Sequence, residues 1–160
     1  MSLKIAVVHS YYSSGNLSGE NIAVENQINL LISAGYKVKS FTEKSKRVQN
    51  TSSLLKLFFY VSTGRGKSFL KSIKQFNPDI ILVHNLFPNI GHGWLNKINI
   101  PIIQILHNYR FICANGIFYR KNKICTLCLD KTKLYSIIHG CYRNSRFATL
   151  PLYIQHFSHT

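Results

Sequence analysis

The stretch "PDIILVHN", residues 78–85, reads as a strand buried on both faces. Ile80 to Val83 form an unbroken apolar row between a Pro-Asp turn and the polar pair His84-Asn85. A strand with one wet face alternates apolar with polar residues, so an unbroken run implies a parallel sheet with helices on both sides. Two more segments share the pattern: "LKIAVV", 3–8, and "PIIQILH", 101–107. Both are expected to be buried strands of the same sheet.

Between them the spacing changes to that of helices. Val24, Ile28 and Leu31 stand four and three residues apart, which puts them on one helical face. Gly35 is expected to end that helix, and "YKVKSFT", 36–42, alternates as a further strand would. "SLLKLFFYV" and "KSFLKSIKQF" read as helices separated by "STGRG", and "GHGWLNKIN", 91–99, as a short helix and turn. The order β–loop–α–β at short spacing is that of an α/β fold, a Rossmann-like parallel sheet with flanking helices. Beyond Gly116 the character differs. "GIFYRKNKICTLC" reads as a tight hairpin ending in Cys-x-x-Cys, with helical segments near 130–139 and 145–157.

Twenty Lys and Arg against five acids give a formal charge of +15 on 160 residues, and 46% of the residues are hydrophobic. The chain can therefore build a core, and its surface calls for an anionic partner: a phosphorylated ligand, a phospholipid surface or nucleic acid. No stretch approaches the roughly 18 apolar residues needed to span a bilayer, and the start does not read as a secretion signal. A cytoplasmic chain is expected, at the inner face of the membrane if it attaches to one. Phe58, Phe59, Tyr60 and Phe69, interleaved with Lys and Arg, would suit such peripheral contact with anionic lipid.

Two phosphate-binding patterns fail on inspection. "GRGKS", 64–68, lacks the first glycine of a P-loop, since Val61 stands there, and the segment before it reads as helix. "SSGNLSG" has no third glycine for a dinucleotide fingerprint. The polar ends of the strands are more informative. "HSYYSSGNLSGEN", "HNLFPNIGHG" and "HNYRFICANG" each begin with a histidine, His9, His84 or His107. One such histidine would be an ordinary structural residue. Consecutive parallel strands point their ends the same way, however, so the three should converge at the sheet's carboxyl edge, where open α/β sheets bind ligands.

The four cysteines, Cys113, Cys125, Cys128 and Cys141, are spaced C-x11-C-x2-C-x12-C within a Cys-rich excursion over 111–142. One Cys-x-x-Cys knuckle rather than two leaves three states open: a structural metal such as zinc, free buried thiols, or disulfides. A catalytic role is not expected of them.

Three features together resemble the N-terminal, acceptor-side half of a GT-B glycosyltransferase of the large retaining family 4. "KIAVVHSYY…SGEN" is similar to that family's opening strand, glycine loop and first helix. "FNPDIILVHNLFP" resembles its "PDIIHxHN" strand. "IPIIQILHNYRFICANGIFYR…CTLC…GCYRNS" resembles a subgroup with "LHNYR" followed by spaced cysteines.

The resemblance implies that 1–160 is a Rossmann-like domain, one half of a two-domain cleft. The family's C-terminal donor-binding domain, with its paired glutamates, has no counterpart within these 160 residues and is expected to be missing. A truncated gene product, one half of a split enzyme, or an excised fragment would each account for that, and 1–160 is expected to be inactive alone. It further implies that His107 is the active-site histidine. Asn108 and Arg110 would lie on the same loop, and Gly15 or Gly19 on the loop approaching the donor diphosphate, flanked by Ser18 and Glu20. His84 and Asn85 would line the cleft.

The implied activity is transfer of a sugar from a nucleotide-sugar to a lipid-linked or polysaccharide acceptor. No cofactor is required for the chemistry, and the leaving diphosphate would assist the incoming hydroxyl. Partners would be the two substrates and a donor domain or separate donor subunit. The competing expectations are a non-catalytic subunit of a split transferase and a basic nucleic-acid-binding module. No recognition helix dense in Arg and Asn supports the latter.

Overall fold

A computed structural model describes residues 2–11, 18–44, 51–63 and 67–157. In chain order its main elements are β1 (Lys4–Tyr11), α1 (Gly19–Ser33), β2 (Lys37–Lys44), α2 (Thr51–Thr63), α3 (Leu70–Phe76), β3 (Ile80–Val83) and β4 (Ile102–Gln104). A 3-10 turn at Leu95–Lys97 precedes β4. The four strands form one parallel sheet in the order β2-β1-β3-β4. The fold is α/β with flanking helices, consistent with the Rossmann-like expectation.

Alternation along β1 divides the core. Ile5 and Val7 pack with Val24 and Leu82, and Ile28 and Leu31 close the same layer, so the helical face read from the sequence covers one side of the sheet. Ala6 and Val8 face the other side, with Phe41, Ile73, Ile81, Val83, Ile90 and Trp94. Each buried Val, Ile or Leu contributes about 1.5–3 kcal/mol. Asp79 clamps β1 to β3 at their starts: Lys4 N–H donates to Asp79 Oδ2 at 2.7 Å, and Asp79 N–H donates to Lys4 O at 2.9 Å.

Gly35 ends α1 as expected. At φ +84° it carries the left-handed turn, with Gly35 N–H bonded to Ile32 O and Tyr36 N–H to Leu31 O, which satisfies two of the helix's last carbonyls. Since α2 is helical up to Thr63, "GRGKS" does not follow a strand; residues 64–66 lie outside the described residues.

Two expectations are corrected. "PIIQILH" does not form a strand buried on both faces. Only Ile102–Gln104 is extended, all three residues are exposed, and Ile103 keeps 49% of its surface. Its sole strand neighbour among the described residues is β3, so one edge and much of both faces lack cover. The aromatic set proposed for lipid contact also divides. Phe69 packs on the core beside Phe41, with ring centroids 5.9 Å apart, and Phe58 packs on Phe147 at 5.7 Å. Only Phe59 and Tyr60 are exposed. Among the described residues no helix is long and apolar enough to cross a membrane.

The later chain lies outside the sheet. Strands β5 (Tyr119–Arg120) and β6 (Lys123–Ile124) pair as the tight hairpin read from the sequence. Its turn residues Lys121 and Asn122 both have positive φ, as a two-residue hairpin turn requires. Helices α4 (Leu127–Asp130), α5 (Leu134–Ile138) and α6 (Arg146–Phe157) follow, and α6 packs against α2 and α5.

Candidate functional site

The carboxyl ends of β3 and β4, with the start of α1 beside them, open into a cavity of about 600 Å3. Glu20, His84, Asn85, His107, Asn108 and Arg110 line it, so six of the residues singled out from the sequence meet at one place. Parallel pairing explains the convergence. Val83 pairs with Gln104, which sets His84 and His107 a short step beyond the same edge.

The two histidines are in contact. His84 Nδ1 lies 2.8 Å from His107 Nε2, with the rings stacked at 5.1 Å. His84 is buried, while His107 is exposed at the cavity. Burial, with His107 and His9 nearby, holds the His84 imidazole well below its usual range, at about 4. It is neutral near pH 7. His84 Nε2 is buried with no hydrogen-bond partner. A bare buried lone pair costs less than a buried unpaired N–H, so His84 is best assigned as the donor, through Nδ1–H, to His107 Nε2. His107 Nε2 then accepts, which leaves Nδ1 as the ring nitrogen that can donate.

His9 lies within β1 rather than after it and is fully buried. Its Nε2 is 3.1 Å from Asn21 Oδ1, and its ring meets His84 edge-on at 6.0 Å. Burial lowers its pKa. Glu20 is the acid of the cavity. Burial raises its carboxyl above the usual range, against the opposing pull of His107, a hydrogen bond from Asn85, and Arg110. Asn85 is itself held in the loop, its Oδ1 accepting from Phe87 N–H at 2.9 Å.

Arg110 is fixed from three sides. Its Nη1 donates to Ala114 O at 3.1 Å, and its guanidinium lies 5.1 Å from the Phe87 ring and 5.4 Å from the Tyr142 ring. Its backbone N–H donates to Asn108 Oδ1 at 3.0 Å, which shapes the loop. Its Nε is buried and has no partner. Phe87 and Tyr142 escaped the reading of the sequence, because both are far from Arg110 along the chain and no local spacing links them to it. Lys133, also at the cavity and bonded to Phe111 O, was missed for the same reason.

The glycine-loop residues fare unevenly. Gly15 lies outside the described residues. Ser18 caps α1 through its backbone, Ile22 N–H donating to Ser18 O, without a side-chain cap. Gly19 opens α1, and a Cβ there would meet nothing within 4 Å, so packing does not require glycine.

None of the four cysteines is in a disulfide. Cys113 is buried and the others half-buried. Burial and the neighbouring thiols raise Cys128 to about 11 and push Cys141 up as well. Among the described residues no three His, Cys, Asp or Glu side chains form a ready metal-ligating group.

A neutral buried histidine, an exposed histidine bonded to it, a braced guanidinium and one protonation-prone carboxyl can together bind a polar ligand carrying hydroxyl and anionic oxygens. No family model matches the chain, and neither a curated protein nor a solved structure matches it.

Proposed function

We propose that the chain is the acceptor-side domain of a retaining glycosyltransferase, one half of a GT-B cleft, serving a lipid-linked or polysaccharide acceptor. The observation that carries this reading is the meeting of His84, His107, Arg110 and Glu20 at the carboxyl edge of a parallel sheet. His107 Nδ1–H would bond a sugar hydroxyl or the oxygen that gains charge during transfer. Arg110 would pair with a phosphate oxygen. A nucleotide-sugar would be supplied from a facing donor domain or a separate donor subunit, and closure of the two would exclude water.

The test is a titration of the isotopically labelled chain, following its histidine ring signals. The probes are a short-chain polyprenyl diphosphate sugar in micelles and a panel of nucleotide-sugars. The expected result is a saturable shift of the His84 and His107 signals by the lipid-linked sugar, abolished in His107→Ala. Failure of every sugar probe, together with tight and steeply salt-dependent binding of single-stranded RNA, would favour the nucleic-acid module instead.

A further inference from the structure

The segment 111–142 gathers four thiols with little core beneath them. Cys125 precedes α4 and Cys128 lies within it, and Cys125 N–H is tied to Phe118 O at 2.8 Å. The Ser136 backbone joins two of the cysteines: its N–H reaches the Cys128 sulfur, and its carbonyl accepts from Cys141 N–H at 3.0 Å. Cys113 lies near enough to Cys128 and Cys141 for its charge to raise the pKa of both thiols. Two cations face the group, Lys133 beside Cys128 and Arg120 beside Cys141, and Arg120 Nε is buried without a partner.

We propose that Cys113, Cys125, Cys128 and Cys141 form a structural zinc site, which holds Arg110 in the cavity wall through the residues next to two of its ligands. Four sulfurs at about 2.3 Å from zinc would lie roughly 3.8 Å apart, so the thiols must close in from their metal-free positions. A zinc ion with four thiolates keeps a net charge of about −2, which suits the facing Lys133 and Arg120. Soft thiolates select zinc over harder cations, and a metal supplies the stability that a segment of two short strands and short helices lacks.

The connection to Arg110 is covalent and short. Ala114, whose carbonyl accepts from Arg110 Nη1, directly follows Cys113. Tyr142, whose ring lies beneath the guanidinium, directly follows Cys141. Drawing Cys113 and Cys141 onto one ion therefore sets the separation of two of the three groups that grip Arg110. This inference does not depend on the sugar-transfer reading.

The experiment measures metal in the chain purified under reducing conditions from zinc-supplemented medium. One zinc per chain is expected, lost in Cys128→Ser, with cobalt giving the charge-transfer absorption of thiolate ligation when it replaces zinc. Hydrogen exchange before and after chelation tests the anchoring. Amides of 108–116 and 140–145 should exchange at least ten-fold faster without metal, while those of β1 and β3 stay unchanged. Less than about 0.1 zinc per chain with no cobalt signal, iron in its place, or full retention in Cys128→Ser would overturn the site. Unchanged exchange around Arg110 would overturn its anchoring. The wild-type stoichiometry keeps the proposal testable even if the variant fails to fold.

Discussion

His84 Nδ1 and His107 Nε2 stand 2.8 Å apart, one ring sealed behind the sheet edge and the other open to the cavity. The burial of His84, with His107 and His9 beside it, makes stability depend on pH with a definite sign. Above pH 6.5 His84 is neutral in both the folded and unfolded chains. Below it the unfolded chain takes up a proton that the folded chain, with His84 held at about 4, refuses. Stability is therefore lost as pH falls from 6.5 towards 4, by up to about 3 kcal/mol from this residue. Buried His9 acts in the same direction, whereas Glu20, with its raised pKa, acts in the opposite one. The difference between wild type and His84→Gln in urea unfolding isolates the contribution. It should shrink between pH 7 and pH 4.5, and a constant difference would contradict the assignment.

Arg110→Lys should lower stability by about 1–2 kcal/mol although charge is kept. Lysine has no planar face to lay against Phe87 and Tyr142, and no fork to reach Ala114 O. A double-mutant cycle with Tyr142→Leu should return a coupling of about 0.5–1 kcal/mol. Strict additivity would mean that the ring contact contributes nothing.

Gly116 and Gly19 should respond differently to alanine. Gly116 has φ +83°, and its added Cβ would meet Arg110 Nη2 at an ordinary 3.5 Å, so backbone strain alone sets a cost of about 1–2 kcal/mol. Gly19 opens a helix in free space, where alanine should be neutral or stabilising. Thermal melts of the two variants check this, and equal melting temperatures would count against it.

Ile73→Ala should cost about 2–5 kcal/mol, because the side chain is fully buried between α3 and the sheet. Ile103→Lys, on the exposed edge strand, should stay within about 0.5 kcal/mol of wild type. Chemical denaturation of both distinguishes the core layer from the uncovered edge.

The parts legible in the sequence were those governed by local period. Val24, Ile28 and Leu31 announced the covered face of α1, and the apolar runs of β1 and β3 announced a sheet with two layers of cover. The meeting of His84 with His107 followed from parallel direction alone. The exposure of β4 was not legible, since "PIIQIL" has the same composition as a central strand and burial depends on neighbours it does not encode. Nor was the brace on Arg110, built from Phe87 before it in the chain and Tyr142 after it. Phe69 had the same local setting as Phe59, and only tertiary packing separated a core ring from an exposed one.

The position of β1 has a kinetic consequence. Its neighbours are β2, some thirty residues on, and β3, whose Ile80 pairs with Ile5 across 75 positions of chain. The β1–α1–β2 unit can assemble from local contacts, but the sheet's centre closes only after the loop to β3 has been drawn in. Closing that loop costs entropy before any buried contact repays it, which slows folding relative to a helical bundle of the same size. Until then β1 has one bare edge and an apolar flank. That interval, rather than the finished structure, is when the chain is most exposed to aggregation.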